Sequence, residues 1–234
     1  MPDWEHPDTV AFFRARDPDL RVQELVANGD VVAGTRVLDL GCAAGRNAVF
    51  LATHGFQGVA IDGSGAMVAA TRERLVPFAA TAPWLVLQRP LHALDDLGDG
   101  AFGLLLALGI LQNAPSDALF EGALDHLARL AAPGARLLIQ NFGPDSRPYG
   151  RPLEHVPGSA HVWRGFRRDD HTAGYALPDA DALDAMVTAR GFALARPTRV
   201  VWKATDEGER TTIVAEYLAH AGSPATPRTA RRRA

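Results

Sequence analysis

The chain has 234 residues, enough for one domain with a sizeable core, and 47% hydrophobic with 22% charged residues is the make-up of a globular protein. Its formal charge is −3, and four of the 24 Lys and Arg fall in residues 221–234, leaving a body of 20 basic against 27 acidic residues that offers no field for nucleic acid. The single Cys42 excludes an internal disulfide framework and a cysteine zinc cluster, while the acidic opening (Asp3, Glu5, Asp8) and the lack of an apolar run near the roughly 20 residues of a bilayer span point to a cytoplasmic protein without a membrane partner.

Residues 1–30 read as a helical cover. Trp4 is the one large anchor of an irregular start, and Asp8 caps a helix through about Arg16 that carries Phe12 and Phe13. Asp19 caps a second helix through Ala27, with Val22, Leu25 and Val26 inward, and Asn28-Gly29 stops it. Thr35 to Ser64 then alternates strand, glycine turn, helix and strand. Val37 to Leu40 is a short apolar strand. Gly41 and Gly45 bracket the small residues Cys42, Ala43 and Ala44, a turn in which backbone can approach a ligand. Arg46 to Thr53 has helical spacing, Gly55 ends it, and Gln57 to Ile61 is a strand with Asp62 at its tip.

Further helices are expected from Gly65 to Val76, from Ser116 or Asp117 to about Ala131, and from Asp179 or Asp181 to Gly191. Strands are expected at Trp84–Gln88, at Phe102–Leu108, whose unbroken apolar run suits a central parallel strand, and at Ala135–Phe142 after a Pro133-Gly134 turn. Leu194–Lys203 and Arg210–Leu218 form a hairpin about Thr205-Asp206-Glu207-Gly208. Between the fifth strand and the last helix lie residues 143–178, long and rich in proline and glycine, with Tyr149, Trp163, Phe166 and Tyr175 as aromatics. Its length and aromatic content point to an ordered lid. Residues 221–234 have little to bury and read as a disordered basic tail.

Two nucleotide ligands fit the strand–turn–helix–strand unit. A dinucleotide turn needs a third glycine for close helix packing, and Arg46 stands at that position. Asp39-Leu40-Gly41-Cys42-Ala43-Ala44-Gly45 followed by Arg46-Asn47-Ala48 instead resembles motif I of the class I S-adenosylmethionine (SAM)-dependent methyltransferases, and Ile61-Asp62-Gly63-Ser64 with Met67 resembles their motif II. The likeness runs loosely from Trp4 to Tyr217. It implies an α/β, Rossmann-like, doubly wound, seven-stranded and mostly parallel sheet with a C-terminal antiparallel hairpin. It also implies one domain over residues 1–220, SAM as methyl donor and S-adenosylhomocysteine as product.

Carried over position by position, the resemblance places Asp39, Gly41 and Gly45 against the methionine part of SAM and Asp62 on the ribose diol, whose two hydroxyls a carboxylate can accept. Cys42, Ala43, Arg46, Asn47, Gly63, Ser64, Met67, Leu91, His92, Leu108 and Gly109 complete the expected cofactor shell. Arg89-Pro90-Leu91-His92 lacks the acid that family members often present to adenine. Methyl transfer needs mainly orientation, so the acceptor side is less marked. Gln112 follows the fourth strand, near the transferring methyl in the family. His155, His161 and His171, with Asp169 and Asp170, are candidate proton acceptors from the lid. Trp4, Phe12, Phe13, Gln112, Tyr149 and Trp163 are candidate substrate contacts, though the N-terminal aromatics are equally readable as core. The spacing of the histidines is poor for a metal. The expected reaction methylates an O, N or S atom of a small molecule. The alternatives are a catalytically silent SAM-binding protein or partner subunit and an NAD(P)-dependent oxidoreductase. Neither composition nor motif fixes monomer against homodimer.

Overall fold

A computed structural model describes residues 4–167 and 172–221. The basic tail from residue 222, together with Asp169, Asp170 and His171, lies outside the described residues. Two N-terminal helices, α1 (Pro7–Arg14) and α2 (Leu20–Ala27), precede the alternation β1 (Arg36–Leu40), α3 (Arg46–Thr53), β2 (Gln57–Asp62), α4 (Gly65–Leu75), β3 (Trp84–Gln88), β4 (Phe102–Leu108), α5 (Asp117–Leu130) and β5 (Ala131–Phe142). The lid contributes four short strands, β6 (Arg147–Pro148), β7 (Glu154–His155), β8 (Val162–Arg164) and β9 (Tyr175–Ala176). Helix α6 (Ala180–Thr188) and the hairpin β10 (Phe192–Thr205) and β11 (Gly208–Ala219) complete the chain.

The main sheet has the order β10-β11-β5-β4-β1-β2-β3, with β1 to β5 parallel and the hairpin antiparallel to β5. It holds eight strands rather than the seven expected, because β6 pairs with Gly208 and Glu209 beside the hairpin turn. The order reverses between β1 and β4, so the carboxyl ends of these strands open a crevice at the switch point. Alternation along the strands divides the core. Leu38, Leu40, Leu105, Leu137 and Ile139 face α5 and α6 through Phe120, Leu124, Leu127, Leu183 and Val187. Val37, Leu104, Leu106 and Leu138 face the other way, against Val22 and Leu25 of α2 and Leu51 of α3. Among the described residues no helix is long and apolar enough to cross a membrane.

Several expected details change. His6, not Asp8, caps α1 by accepting from the Asp8 N–H at 3.2 Å. Pro7 occupies the first turn, where its missing N–H and fixed φ suit a helix start. Helix α1 buries no residue fully: Phe12 is 56% exposed, while Val10 and Phe13 are partly buried against the Met67 cluster. The Pro133-Gly134 turn survives as a bulge inside β5, between the pairs Phe102–Ala131 and Leu104–Arg136. The lid is ordered into its own three-stranded sheet, β7-β8-β9.

Candidate active site

The glycine turn is shaped by close approach. Gly41 and Gly45 both have φ of 77°. A Cβ on Gly41 would sit 2.6 Å from Ile110 Cβ, and one on Gly45 would sit 2.9 Å from the Thr71 side chain. Positive φ and absent space together require glycine at both. Asp62 closes the turn from β2. Its Oδ2 accepts from the Ala43 N–H and its Oδ1 from the Ser64 N–H, both at 2.9 Å. Each oxygen keeps a further lone pair for a ligand hydroxyl. Burial raises the Asp62 pKa above the ordinary value, against the hydrogen bonds that lower it. The helix cap is Ser64, which accepts from the Met67 N–H at 3.2 Å.

A cavity of about 270 Å³ opens between these elements. Gly41, Asp62 and Gly63 form one side, Leu91 and His92 another, and Ile110 and Asn113 a third. Five of the expected cofactor residues therefore converge. Asn113 was not anticipated. It lines this mainly apolar space, and its carboxamide makes no hydrogen bond among the described residues. Gln112, one position earlier in the 3-10 turn Leu111–Asn113, does not line the cavity. Its Nε2 donates to the Gly109 carbonyl at 2.7 Å, and its buried Oε1 has no partner. About 120° separates successive residues of such a turn, so sequence alone could not choose between the two amides.

Asp39 lies beneath the turn, 2% exposed, with Oδ2 lacking a partner. Burial lifts its pKa from 3.8 to about 7, opposed by the charge of Arg46 and reinforced by that of Asp62. An orphaned buried acid at a glycine turn is an observation that favours a cationic ligand group beside it.

Other expected cofactor residues do different work. The Cys42 thiol is buried against Thr71, and burial pushes its pKa well up. Met67 is fully buried with Ala44 and Ala70, under Trp4 and Phe13, and does not reach the cavity. Asn47 accepts from the Asp19 N–H at 2.9 Å, and Arg46 donates to the Asp17 carbonyl at 3.1 Å. This pair holds the N-terminal cover to the motif helix. Ser64 Oγ donates to the Trp4 carbonyl, while the Glu5 carboxylate accepts from the Gly65 and Ala66 N–H groups at the start of α4. Leu108 ends β4, and the Gly109 N–H donates to the Gln140 carbonyl of β5.

The lid packs beside the cavity without lining it. The Ala176 N–H donates to the Ala114 carbonyl, and the Ala160 and His161 N–H groups donate to the Asp117 carboxylate. Ala114 and Pro115 are cavity walls. Among the described residues neither the His155 nor the His161 ring is hydrogen-bonded; His155 is exposed and meets the Trp163 ring edge-on at 4.9 Å. Tyr149, beside Glu207 at the hairpin turn, does not line the cavity. Trp4 and Phe13 cover the glycine turn, and Phe12 points outward, its ring under Arg16. Among the described residues no group of His, Cys, Asp and Glu is placed to hold a metal.

A family profile described as a methyltransferase domain matches residues 10–196. The chain is 26% identical over 194 residues to a ubiquinone biosynthesis O-methyltransferase from Alkalilimnicola ehrlichii, covering 80% of this chain and 73% of that one. Its fold is similar to a SAM-dependent methyltransferase from Methanosarcina mazei, with TM-score 0.64, 16% identity and coverage of 88% and 100% of the two chains. It is also similar to the 1,6-didemethyltoxoflavin N1-methyltransferase of Burkholderia thailandensis, solved with its substrate and S-adenosylhomocysteine, with TM-score 0.60, 18% identity and coverage of 85% and 76%.

Proposed function

The chain belongs to the methyltransferase-domain family and is a SAM-dependent methyltransferase, and on that premise we propose that it methylates an O, N or S atom of a small-molecule acceptor. The observation that carries the reading is the cavity in which the Gly41 turn and the Asp62 carboxylate face one wall of Leu91, Ile110 and Asn113. SAM supplies the electrophilic methyl on a good leaving group. The residues of the chain bind and orient. Asp62 accepts from the ribose hydroxyls with the lone pairs its backbone bonds leave free. The Asp39 Oδ2, buried and unpartnered, answers the ammonium of the methionine part. Gly41 keeps the backbone low enough for this approach.

Asn113 takes the place of the missing adenine acid. A carboxamide presents one donor and one acceptor, which match the N6–H and an adjacent ring nitrogen of adenine. The wall formed by Pro90, Leu91 and Ile110 supplies apolar contact for the ring. Gln112 and the lid lie toward the methyl-accepting side. Support for a small acceptor is the acidic body, the lid folded against Ala114 and Asp117, and the likeness to an O-methyltransferase of ubiquinone biosynthesis.

Calorimetric titration with SAM, S-adenosylhomocysteine and NADH tests the reading. The first two should bind and NADH should not, and Asp62→Ala should weaken S-adenosylhomocysteine binding by about tenfold or more. Unchanged binding in Asp62→Ala would sink the site assignment. The silent-protein alternative predicts tight SAM binding with no turnover over a panel of phenols, amines and thiols.

A further inference from the structure

Three nitrogen donors, two in the lid and one on β11, lack an acceptor among the described residues. Trp163 Nε1, Arg167 Nη1 and Arg210 Nε are closed off from solvent and make no hydrogen bond among the described residues. All three belong to one aromatic file. Trp163 pairs across the sheet with Tyr175. The Arg167 guanidinium lies over the Tyr175 ring at 5.4 Å. The Tyr175 ring is 5.5 Å from Phe166, which stacks on Phe142 at 4.8 Å. The Arg210 guanidinium covers both, 5.7 Å from Phe142 and 5.5 Å from Phe166.

Aromatic faces answer part of a cation's charge, from one side only. The N–H groups in the guanidinium plane still need oxygen, and a buried charged donor left unmet is costly. Glu207 serves Nη2 of Arg210 and leaves its Nε unserved. Two guanidinium nitrogens and an indole nitrogen beside one aromatic cluster supply the donors that an oxyanion attached to an aromatic ring would need. Arginine is suited to carboxylate in this way, and the rings suit the body of the same molecule.

The cluster also stands at the correct end of the sheet. Phe142 is the last residue of β5. Two positions earlier, the Gln140 carbonyl accepts the Gly109 N–H, so the cluster and Gly109 meet β5 at the same end.

We propose that the lid and β11 together form an oxyanion subsite, in which Trp163, Arg167 and Arg210 grip the carboxylate of a flat aromatic methyl acceptor. This rests on the methyl-transfer reading above and specifies the acceptor class. It gives Trp163 a binding role through its indole N–H, and it adds two arginines that the sequence did not single out.

The test uses the full chain saturated with S-adenosylhomocysteine, titrated calorimetrically with benzoate, with its uncharged analogue benzamide, and with inorganic phosphate. Benzoate should bind about tenfold or more tightly than benzamide or phosphate. Arg167→Gln and Arg210→Gln should each lower benzoate affinity about tenfold, and Arg210→Lys should retain part of it. A change in tryptophan emission on adding benzoate should vanish in Trp163→Phe, which leaves Trp4, Trp84 and Trp202 in place. Circular dichroism and S-adenosylhomocysteine affinity, within about twofold of the parent, certify each variant. The proposal is overturned if benzoate does not bind, if benzamide matches it, if phosphate exceeds it, or if certified glutamine variants bind it as well as the parent. Loss of S-adenosylhomocysteine binding by the unaltered protein would strike the methyl-donor reading instead, so the two failures are distinguishable.

Discussion

Asp39→Asn should make the ligand-free protein relatively more stable as pH rises. Asp39 is 2% exposed and one of its oxygens has no partner. Burial raises its pKa from 3.8 to about 7. Between those values the folded protein keeps the proton while the unfolded chain releases it, so the unfolded state binds fewer protons and stability falls with rising pH. Below the window neither state is charged and there is no penalty; above it the penalty is complete and constant. A shift of that size corresponds to about 4 kcal/mol as an upper figure. Asparagine removes this term but leaves an amide N–H buried, at a pH-independent cost of about 1–3 kcal/mol. The difference in unfolding free energy, variant minus parent, should therefore climb by up to about 4 kcal/mol between pH 4 and pH 7 and then level off. Urea unfolding followed by circular dichroism reads it, and groups common to both proteins cancel. A difference that stays constant across pH 4 to 8 would refute the account of Asp39 as an uncompensated buried acid. A ligand ammonium beside Asp39 lowers its pKa again, so S-adenosylhomocysteine binding near pH 6.5 should release a proton in the parent and none at this site in the variant. Calorimetry in buffers of different ionisation enthalpy measures that release.

Asn113→Ala should weaken S-adenosylhomocysteine about tenfold, the scale of one lost amide–base pair, with an unchanged melting temperature; equal affinities would remove Asn113 from the adenine site. Asn47→Ala deprives the Asp19 N–H of its acceptor, costing about 1–3 kcal/mol, and limited proteolysis should then cut faster between α1 and α2. Glu216 is buried between Arg136 and Arg196. Glu216→Gln should cost about 3 kcal/mol, the lower end for breaking a buried pair, because Arg136 keeps Asp30; a loss under about 1 kcal/mol in urea unfolding would show that the network is solvent-screened.

The doubly wound sheet was legible because its signals are local. A glycine turn after an apolar strand, followed by a helix and a second strand, marks one local unit, and the run Phe102–Leu108 suits a strand covered on both faces. The turn Asp206-Glu207 likewise marks the hairpin that β10 and β11 form. What escaped the sequence depends on contacts between distant segments. The lid strands have two or three residues each, too short for a period, and their placement follows from Asp117 and Ala114, which belong to another part of the chain. The aromatics of helix α1 could be read as substrate contacts or as core; the helix lies on the surface, held by the Arg14–Glu73 ion pair and by Trp4 and Phe13 against the glycine turn. Met67 matched a cofactor position by spacing and went into that contact instead.

The division of labour inside motif I follows from the same geometry. Arg46 and Asn47 stand at the start of α3, where exposed N–H groups and the helix dipole would suit an anion. The chain uses their side chains for its own Asp17 and Asp19 backbone. Asp62, the proposed ribose ligand, is likewise committed through the N–H groups of Ala43 and Ser64. The donor site is thus assembled by bonds within the protein, and its binding energy need not order the turn. Unmet buried polar atoms lie both under the glycine turn, at Asp39 Oδ2, and away from it, at Gln112 Oε1, at Trp163 and Arg167 of the lid and at Arg210 of β11. On this arrangement, lid substitutions should move acceptor KM while leaving donor affinity near its parent value, and changes at Asp39 or Asp62 should do the reverse.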